Sequence, residues 1–322
     1  MIAARAAAGA GAWGDVRATL ERDESAATAN GSRAMLLGEA CLRTGDPRTA
    51  IRWLDFAEPL LTKAGNRPSL RSVVNLQGAA AFALGALARA EDRFAAAFHM
   101  AQLDADSLLT ARATNNLGLI AALRGDADSA IASYQRAITA YQRMGHSQGL
   151  AESWHNLGIS YRIRGELNAA DDAELRAIEF ATEATNPRLV AMAQVGRAEI
   201  SLRRDDAAWA RATAQRAASV FAALPDFLLQ ADALRVHADA SDRLGLRDDA
   251  DDSFARALEL SRAHEHRTQL AQTLQTQAQT LARRGETARA LAIGAAARDA
   301  FSQIGSVDAA DEMAEFLAAL AR

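Results

Sequence analysis

Asn116-Leu117-Gly118-Leu119-Ile120-Ala121-Ala122-Leu123-Arg124-Gly125-Asp126, with Ala130-Ile131 shortly after, returns forty residues later as Asn156-Leu157-Gly158-Ile159-Ser160-Tyr161-Arg162-Ile163-Arg164-Gly165-Glu166. A fixed period of this length marks a repeat architecture, so the same register extends outward from this stretch. Steps of forty from Gly118 land on Gly38, Gly78, Gly158, Ala198, Ala238 and Ala278, all small. Twelve residues after each stands an alanine: Ala50, Ala90, Ala130, Ala170, Ala210, Ala250, Ala290. Seven further on stands another: Ala57, Ala97, Ala137, Ala177, Ala217, Ala257, Ala297. Alanine fills about a quarter of the chain, so fourteen matches in two columns have a chance probability on the order of 10⁻⁹.

Between the small residue and the first alanine lies a turn at Gly45, Gly85, Gly125, Gly165, Asp205, Gly245 and Gly285. Glycine there ends a helix in the left-handed conformation, and the acid after it (Asp46, Asp126, Glu166, Glu286) suits the next helix's N-terminus. A second set of breakers closes each unit: Gly65-Asn66-Arg67-Pro68, Gly145-His146-Ser147, Asn186-Pro187, Leu224-Pro225-Asp226 and Gly305-Ser306. No segment alternates with a period of two, so each unit reads as a helical hairpin whose small residues sit where its helices cross.

Small residue, turn glycine and two alanines at these offsets resemble the tetratricopeptide repeat in its forty-residue form. The resemblance covers residues 31–310 as seven units: 31–70, 71–110, 111–150, 151–190, 191–230, 231–270 and 271–310. It implies an all-α fold, an α-solenoid wound as a right-handed superhelix. Arg197, His237 and Gln277 depart from the column that holds Leu37, Leu117 and Leu157. Glu174 stands where Leu54, Phe94, Tyr134 and Phe254 supply a bulky residue. Residues 311–322 repeat only a first-helix pattern and read as a C-terminal capping helix. Residues 1–30, with Gly11-Ala12-Trp13-Gly14-Asp15 before Val16 and Leu20, read as a degenerate N-terminal half-repeat or cap, or as the edge of something larger.

The chain has 322 residues and a formal net charge of -4. That balance speaks against a phosphate-backbone binder and for no nucleic-acid partner. No run reaches the ~20 apolar residues of a membrane helix, and the start lacks a secretory core, so no membrane partner and a cytoplasmic location are expected. The single cysteine, Cys41, excludes an internal disulfide and falls in an apolar first-helix column, where a buried, unreactive thiol is expected.

Catalytic and cofactor signals are weak. Gly9-Ala10-Gly11-Ala12-Trp13-Gly14 matches G-x-G-x-x-G in form, but no strand precedes it, so a turn is expected. His264-Glu265-His266 has the wrong spacing for two ligands on one helix face and reads as a solvated connection. Asn30-Gly31-Ser32 fits a glycosylation acceptor without a secretory context. Asp171-Asp172 and Asp248–Asp252 open second helices, while Arg43, Arg124, Arg164, Arg203, Arg204, Arg243, Arg283 and Arg284 close first helices, as the helix dipole favours. No catalytic residue, cofactor or metal is expected.

In each first helix, the positions six, three and two before the small residue, and one and four after it, share a side distinct from the packing stripe. The resemblance implies that this side lines a groove. It carries Arg112, Asn115, Asn116 and Leu119 in the third unit, then Glu152, His155, Asn156, Ile159 and Arg162 in the fourth. The first two units give Met35, Leu36, Asn75, Leu76 and Phe82, and the sixth gives Asp232, Arg235, Asp239 and Asp242. Asparagine offers both donor and acceptor to a peptide backbone. The resemblance carries that role to Asn116 and Asn156, which equally fit a tie between repeats. Arg112, His155 and Arg162 suit an acidic group. The expected peptide-contact patch is therefore Arg112, Asn115, Asn116, His155, Asn156 and Arg162. The expected function is a non-catalytic interaction scaffold for a protein or peptide partner. A sensor fragment of a larger bacterial regulator or enzyme is the alternative, and a stand-alone enzyme comes last.

Overall fold

The computed structural model describes residue 4 and residues 13–22, 28–264 and 266–322. Among the described residues the regular structure is entirely helical. Helix α1 (Trp13–Glu21) precedes seven hairpins. They are α2 (Gly31–Arg43) with α3 (Pro47–Lys63), α4 (Arg67–Ala83) with α5 (Leu87–Leu103), α6 (Ser107–Leu123) with α7 (Ala127–Met144), and α8 (Ser147–Ile163) with α9 (Leu167–Glu183). Then follow α10 (Pro187–Arg203) with α11 (Ala207–Ala223), α12 (Phe227–Arg243) with α13 (Arg247–Ala263), and α14 (Arg267–Arg283) with α15 (Thr287–Gln303). A last helix, α16 (Val307–Leu320), buries Ala310 and Met313. The chain divides into two compact units, residues 1–149 and 150–322. Of the G-x-G-x-x-G pattern at 9–14, residues 9–12 lie outside the described residues, as does Glu265; Trp13 and Gly14 begin α1.

The local sequence explains each hairpin. The turn residues Gly45, Gly85, Gly125, Gly165, Gly245 and Gly285 have φ between 75° and 80°, and Asp205 adopts φ 61° in the same place. The next amide then reaches back five residues: Asp46 N–H donates to the Cys41 carbonyl at 2.8 Å and Asp126 N–H to that of Ala121 at 3.0 Å, the hydrogen bond of a Schellman turn. Asp46 and Asp126 also cap the helices that follow, accepting from the amides of Thr49 and Ser129. Glu166 and Glu286 occupy the same cap position without making that bond; their carboxylates pair instead with Arg164 and Arg289.

The two alanine columns are the spine of each unit: all fourteen residues are at most 1% exposed. The small first-helix column meets a bulky residue sixteen positions later. A methyl group added to Gly38 would lie 2.7 Å from Leu54 Cγ, and one added to Gly78 would lie 2.6 Å from the Phe94 ring. Such approaches leave no room for a side chain, so glycine here permits close helix packing. The same core buries Cys41 and pushes its thiol up to about 11, as an unreactive position requires.

Arginines at first-helix ends reach across to neighbouring hairpins in addition to any favourable dipole effect. Arg124 pairs with Glu91 at 2.9 Å, Arg204 with Asp171 at 3.0 Å and Arg284 with Asp251 at 2.8 Å. Arg243 donates to the Leu202 carbonyl at 2.9 Å, satisfying the end of another first helix. Polar departures from the leucine column also find second-helix partners: Arg197 Nε reaches Asp171 at 2.6 Å, and His237 Nδ1 lies 3.0 Å from Ser253 Oγ.

Candidate functional site

In residues 150–322, the first helices α8, α10, α12 and α14 line a cavity of about 240 Å³, with Phe221 of α11 closing it. Its apolar lining residues include Ile159, Met192, Val195 and Leu229. Its polar ones are His155, Arg162, Glu199, Asp232, Arg235 and two glutamines, Gln269 and Gln272. Helical periodicity brings these residues together. Arg162 lies seven residues after His155, two turns along the same face, and equivalent positions in later repeats supply Val195 and Arg235.

An ion chain organises the polar lining residues. Glu199 accepts from Arg162 Nη2 at 2.8 Å and from Arg235 Nη2 at 2.6 Å, and Arg235 reaches Asp232 at 2.7 Å. Burial alone would raise the Glu199 carboxyl, but the two arginines outweigh it and hold the group down at about 2. Gln269 Nε2 donates to Asp232 at 3.2 Å. Both oxygens of Glu199 are thus occupied, while each guanidinium presents more donors than its carboxylate partners accept.

Behind these residues sits Glu174 of α9, only 1% exposed. Its Oε2 lies 2.9 Å from His155 Nδ1. Two glycines make the space: a methyl group on Gly158 would lie 3.0 Å from Glu174 Oε1, and one on Gly196 would lie 2.7 Å from Glu174 Cδ. Burial raises the Glu174 carboxyl above its ordinary value, against the opposing pull of His155. For His155, burial acts downward and the Glu174 carboxylate overcomes it, leaving the imidazole raised. The pair therefore retains a proton more readily than either group would in water.

The expected contact residues fall in different settings. In residues 1–149, Arg112 is exposed, Asn115 is buried, and Asn116 is half-buried with its Nδ2 donating to Asn75 Oδ1 at 3.2 Å. That bond ties α6 to α4. In residues 150–322, Asn156 is half-buried, whereas His155 and Arg162 line the cavity and already have acidic partners in Glu174 and Glu199. Glu199 and Gly196 were absent from the expected patch. The interruption of the asparagine column by Gly196 and of the bulky column by Glu174 was the available signal. Asp239 and Asp242 bind Arg283 and Arg284. At the His264–His266 connection, His264 stacks on Phe227 with ring centroids 4.0 Å apart. Among the described residues no group of three or more His, Cys, Asp or Glu side chains is arranged to hold a metal ion, and no helix is long and apolar enough to cross a membrane.

A family model described as tetratricopeptide repeat matches residues 72–143 and, overlapping them, 109–183. Within residues 72–183 the chain carries tetratricopeptide repeats. No curated protein matches the sequence. Among solved structures, the Rap conjugation gene regulator of the plasmid pLS20, in complex with the Phr* peptide, is 15% identical with a TM-score of 0.73. That match covers 85% of this chain and 74% of the other. A Rap protein complexed with competence and sporulation factor is 13% identical, with a TM-score of 0.63 and coverage of 89% and 85%. The apo quorum sensor NprR from B. thuringiensis is 11% identical, with a TM-score of 0.56 and coverage of 89% and 88%. At these identities the likeness is one of fold. Stacked helical hairpins account for the glycine and alanine columns; the Glu174–His155 pair is a feature of this chain's own side chains.

Proposed function

We propose that this protein is a non-catalytic interaction scaffold whose first-helix faces receive an extended peptide segment of a partner protein. The observation that carries the reading is the cavity lined by α8, α10, α12 and α14, which offers apolar and hydrogen-bonding side chains together. A peptide residue needs both, because its side chain is buried while its backbone amides stay satisfied. Two of the similar structures were solved in complex, one with the Phr* peptide and one with competence and sporulation factor, which supports this reading by analogy of fold. His155, Asn156 and Arg162 are the proposed contacts in residues 150–322, and Arg112, Asn115 and Asn116 those in residues 1–149. A photo-reactive residue at Ile159, used with affinity capture from a native lysate, tests the assignment. A partner segment should crosslink there, and Met192→Trp, which fills the cavity, should abolish the crosslink. Undiminished crosslinking to the filled cavity would refute it.

A second reading, as the sensor part of a regulator, draws on the likeness to a conjugation gene regulator and a quorum sensor. An effector domain on the same polypeptide would show as a native mass above 34.2 kDa.

A further inference from the structure

The repeat supplies its own control for the cavity. In the column where Leu54, Phe94, Tyr134 and Phe254 are buried, this chain buries Glu174, at a position where a carboxylate is costly. Neighbouring departures accommodate it: Gly196 removes a side chain beside the carboxyl group, and His155 binds the carboxylate oxygen at 2.9 Å. His155 lines the cavity while Glu174 holds its Nδ1 from behind, leaving Nε2 as the ring nitrogen able to meet a bound group. Nε2 accepts a hydrogen bond in the neutral ring and donates one in the protonated ring.

Charge balance then constrains the ligand. Facing the pair are Arg162 of the same helix, Glu199 of α10, and Asp232 and Arg235 of α12; α14 contributes the uncharged Gln269 and Gln272. Arg162 and Arg235 are matched by Glu199 and Asp232, and the His155–Glu174 pair is neutral when it holds one proton. A carboxylate entering this cavity would leave an uncompensated buried charge unless a proton entered with it.

We propose that the cavity binds an acidic side chain of the partner segment with uptake of one proton, which the His155–Glu174 pair holds. The inference rests on the peptide-scaffold reading and adds to it the chemistry of the recognised residue and its regulation by pH. The ligand's carboxylate accepts from protonated His155 and from the free donors of Arg162 and Arg235, and its methylenes lie against Met192, Val195 and Leu229. Both members of the pair have proton affinities raised above their ordinary values, which favours uptake of the linked proton by the pair as pH falls.

Butyrate and butyramide are the test probes, since they share an aliphatic stem and differ in charge. Titrated into the full chain, with the His155 ring followed by NMR, butyrate should bind more tightly as pH falls from 8 to 6. The limit for one linked proton is about tenfold per pH unit. Butyramide should show no such slope. His155→Asn with Glu174→Leu places at both positions residues found in the same columns elsewhere in the chain, and should remove the slope while leaving the helical spectrum intact. No response to butyrate, an equal slope with butyramide, or a slope that survives the double substitution would overturn the proposal. A butyrate response without any crosslinked partner at Ile159 would uphold proton-linked carboxylate binding by the cavity while refuting the peptide-scaffold reading and, with it, a partner's side chain as the ligand.

Discussion

The hairpins α6–α7 and α8–α9 place different chemistry on one backbone plan. Tyr134 and Glu174 occupy the same column, forty residues apart, and each is 1% exposed. Each packs on the glycine of its first helix: a methyl group on Gly118 would lie 2.7 Å from the Tyr134 ring, and one on Gly158 would lie 3.0 Å from Glu174 Oε1. The repeat therefore specifies that this position is buried and leaves the nature of its occupant open. An aromatic ring there contributes to stability by excluding water, whereas a carboxylate there depends on a partner.

Transplanting the carboxylate gives the largest expected effect. Tyr134→Glu loses a buried aromatic side chain, worth ~3–5 kcal/mol in comparable truncations, and buries a charge with no histidine provided for it. Chemical denaturation should show residues 1–149 destabilised by more than about 4 kcal/mol, or unfolded outright. A loss below about 1 kcal/mol would mean that the column tolerates carboxylates and that His155 is no special provision.

The reverse exchange should stabilise. Replacing a buried ionic pair by residues that pack is often neutral or stabilising by 1–4 kcal/mol, so His155→Asn with Glu174→Leu should raise the melting temperature. Its pH dependence sharpens the point. The raised His155 contributes stability that is fully present below its unfolded value and lost as pH rises through its folded one. The raised Glu174 carboxyl likewise favours the folded state as it takes up a proton. The wild type should therefore gain stability between pH 8 and pH 6 relative to the double variant; parallel curves would contradict the coupling. Asp171 behaves oppositely. Burial raises it, but Arg197 and Arg204 outweigh that and hold it low, so its contribution is present above its unfolded value and is lost as pH falls through the folded one.

Much of this architecture was legible in the residues alone, because small side chains and turn glycines report on backbone proximity that any sequence with this packing must respect. The fourteen alanines, the turn positions and the capping role of Asp46 and Asp126 follow from local geometry and a fixed period. The acid–histidine pair was less legible. Glu174 and His155 lie nineteen residues apart on different helices, and their meeting depends on how α9 projects between Gly158 and Gly196. Arg162 was legible as a cation near a groove, but its partner Glu199 was not, since a pairing across repeats leaves no local pattern. Arginines at helix ends were similarly legible as dipole partners, while their reach to Glu91, Asp171 and Asp251 required the stacked hairpins.

Gly196 tests the cradle more gently. A methyl group there would collide with the Glu174 carboxyl group, so Gly196→Ala should cost ~1–3 kcal/mol by overpacking. In a Glu174→Ala background the clash is gone and most of that cost should disappear. A double-mutant cycle measures the coupling directly. Equal costs in both backgrounds would place the glycine's role in backbone conformation and not in space for the carboxylate.

The smallest effect is expected at the exposed arginines that follow first helices. Arg124 pairs with Glu91 across repeats, but both side chains are substantially exposed, at 49% and 38%. Solvent screening and the entropy of fixing a long side chain offset most of the Coulomb attraction, so Arg124→Ala should cost less than about 1 kcal/mol and less still in high salt. Arg284 makes the equivalent reach to Asp251 with its side chain only 4% exposed, and it also holds the 6% exposed Asp242. Removing it leaves that carboxylate buried with a diminished partner set, so Arg284→Ala should cost more and resist salt. If both substitutions proved equally mild, burial would not govern the strength of these bridges, and the argument that Glu174 needs His155 because it is buried would weaken with it.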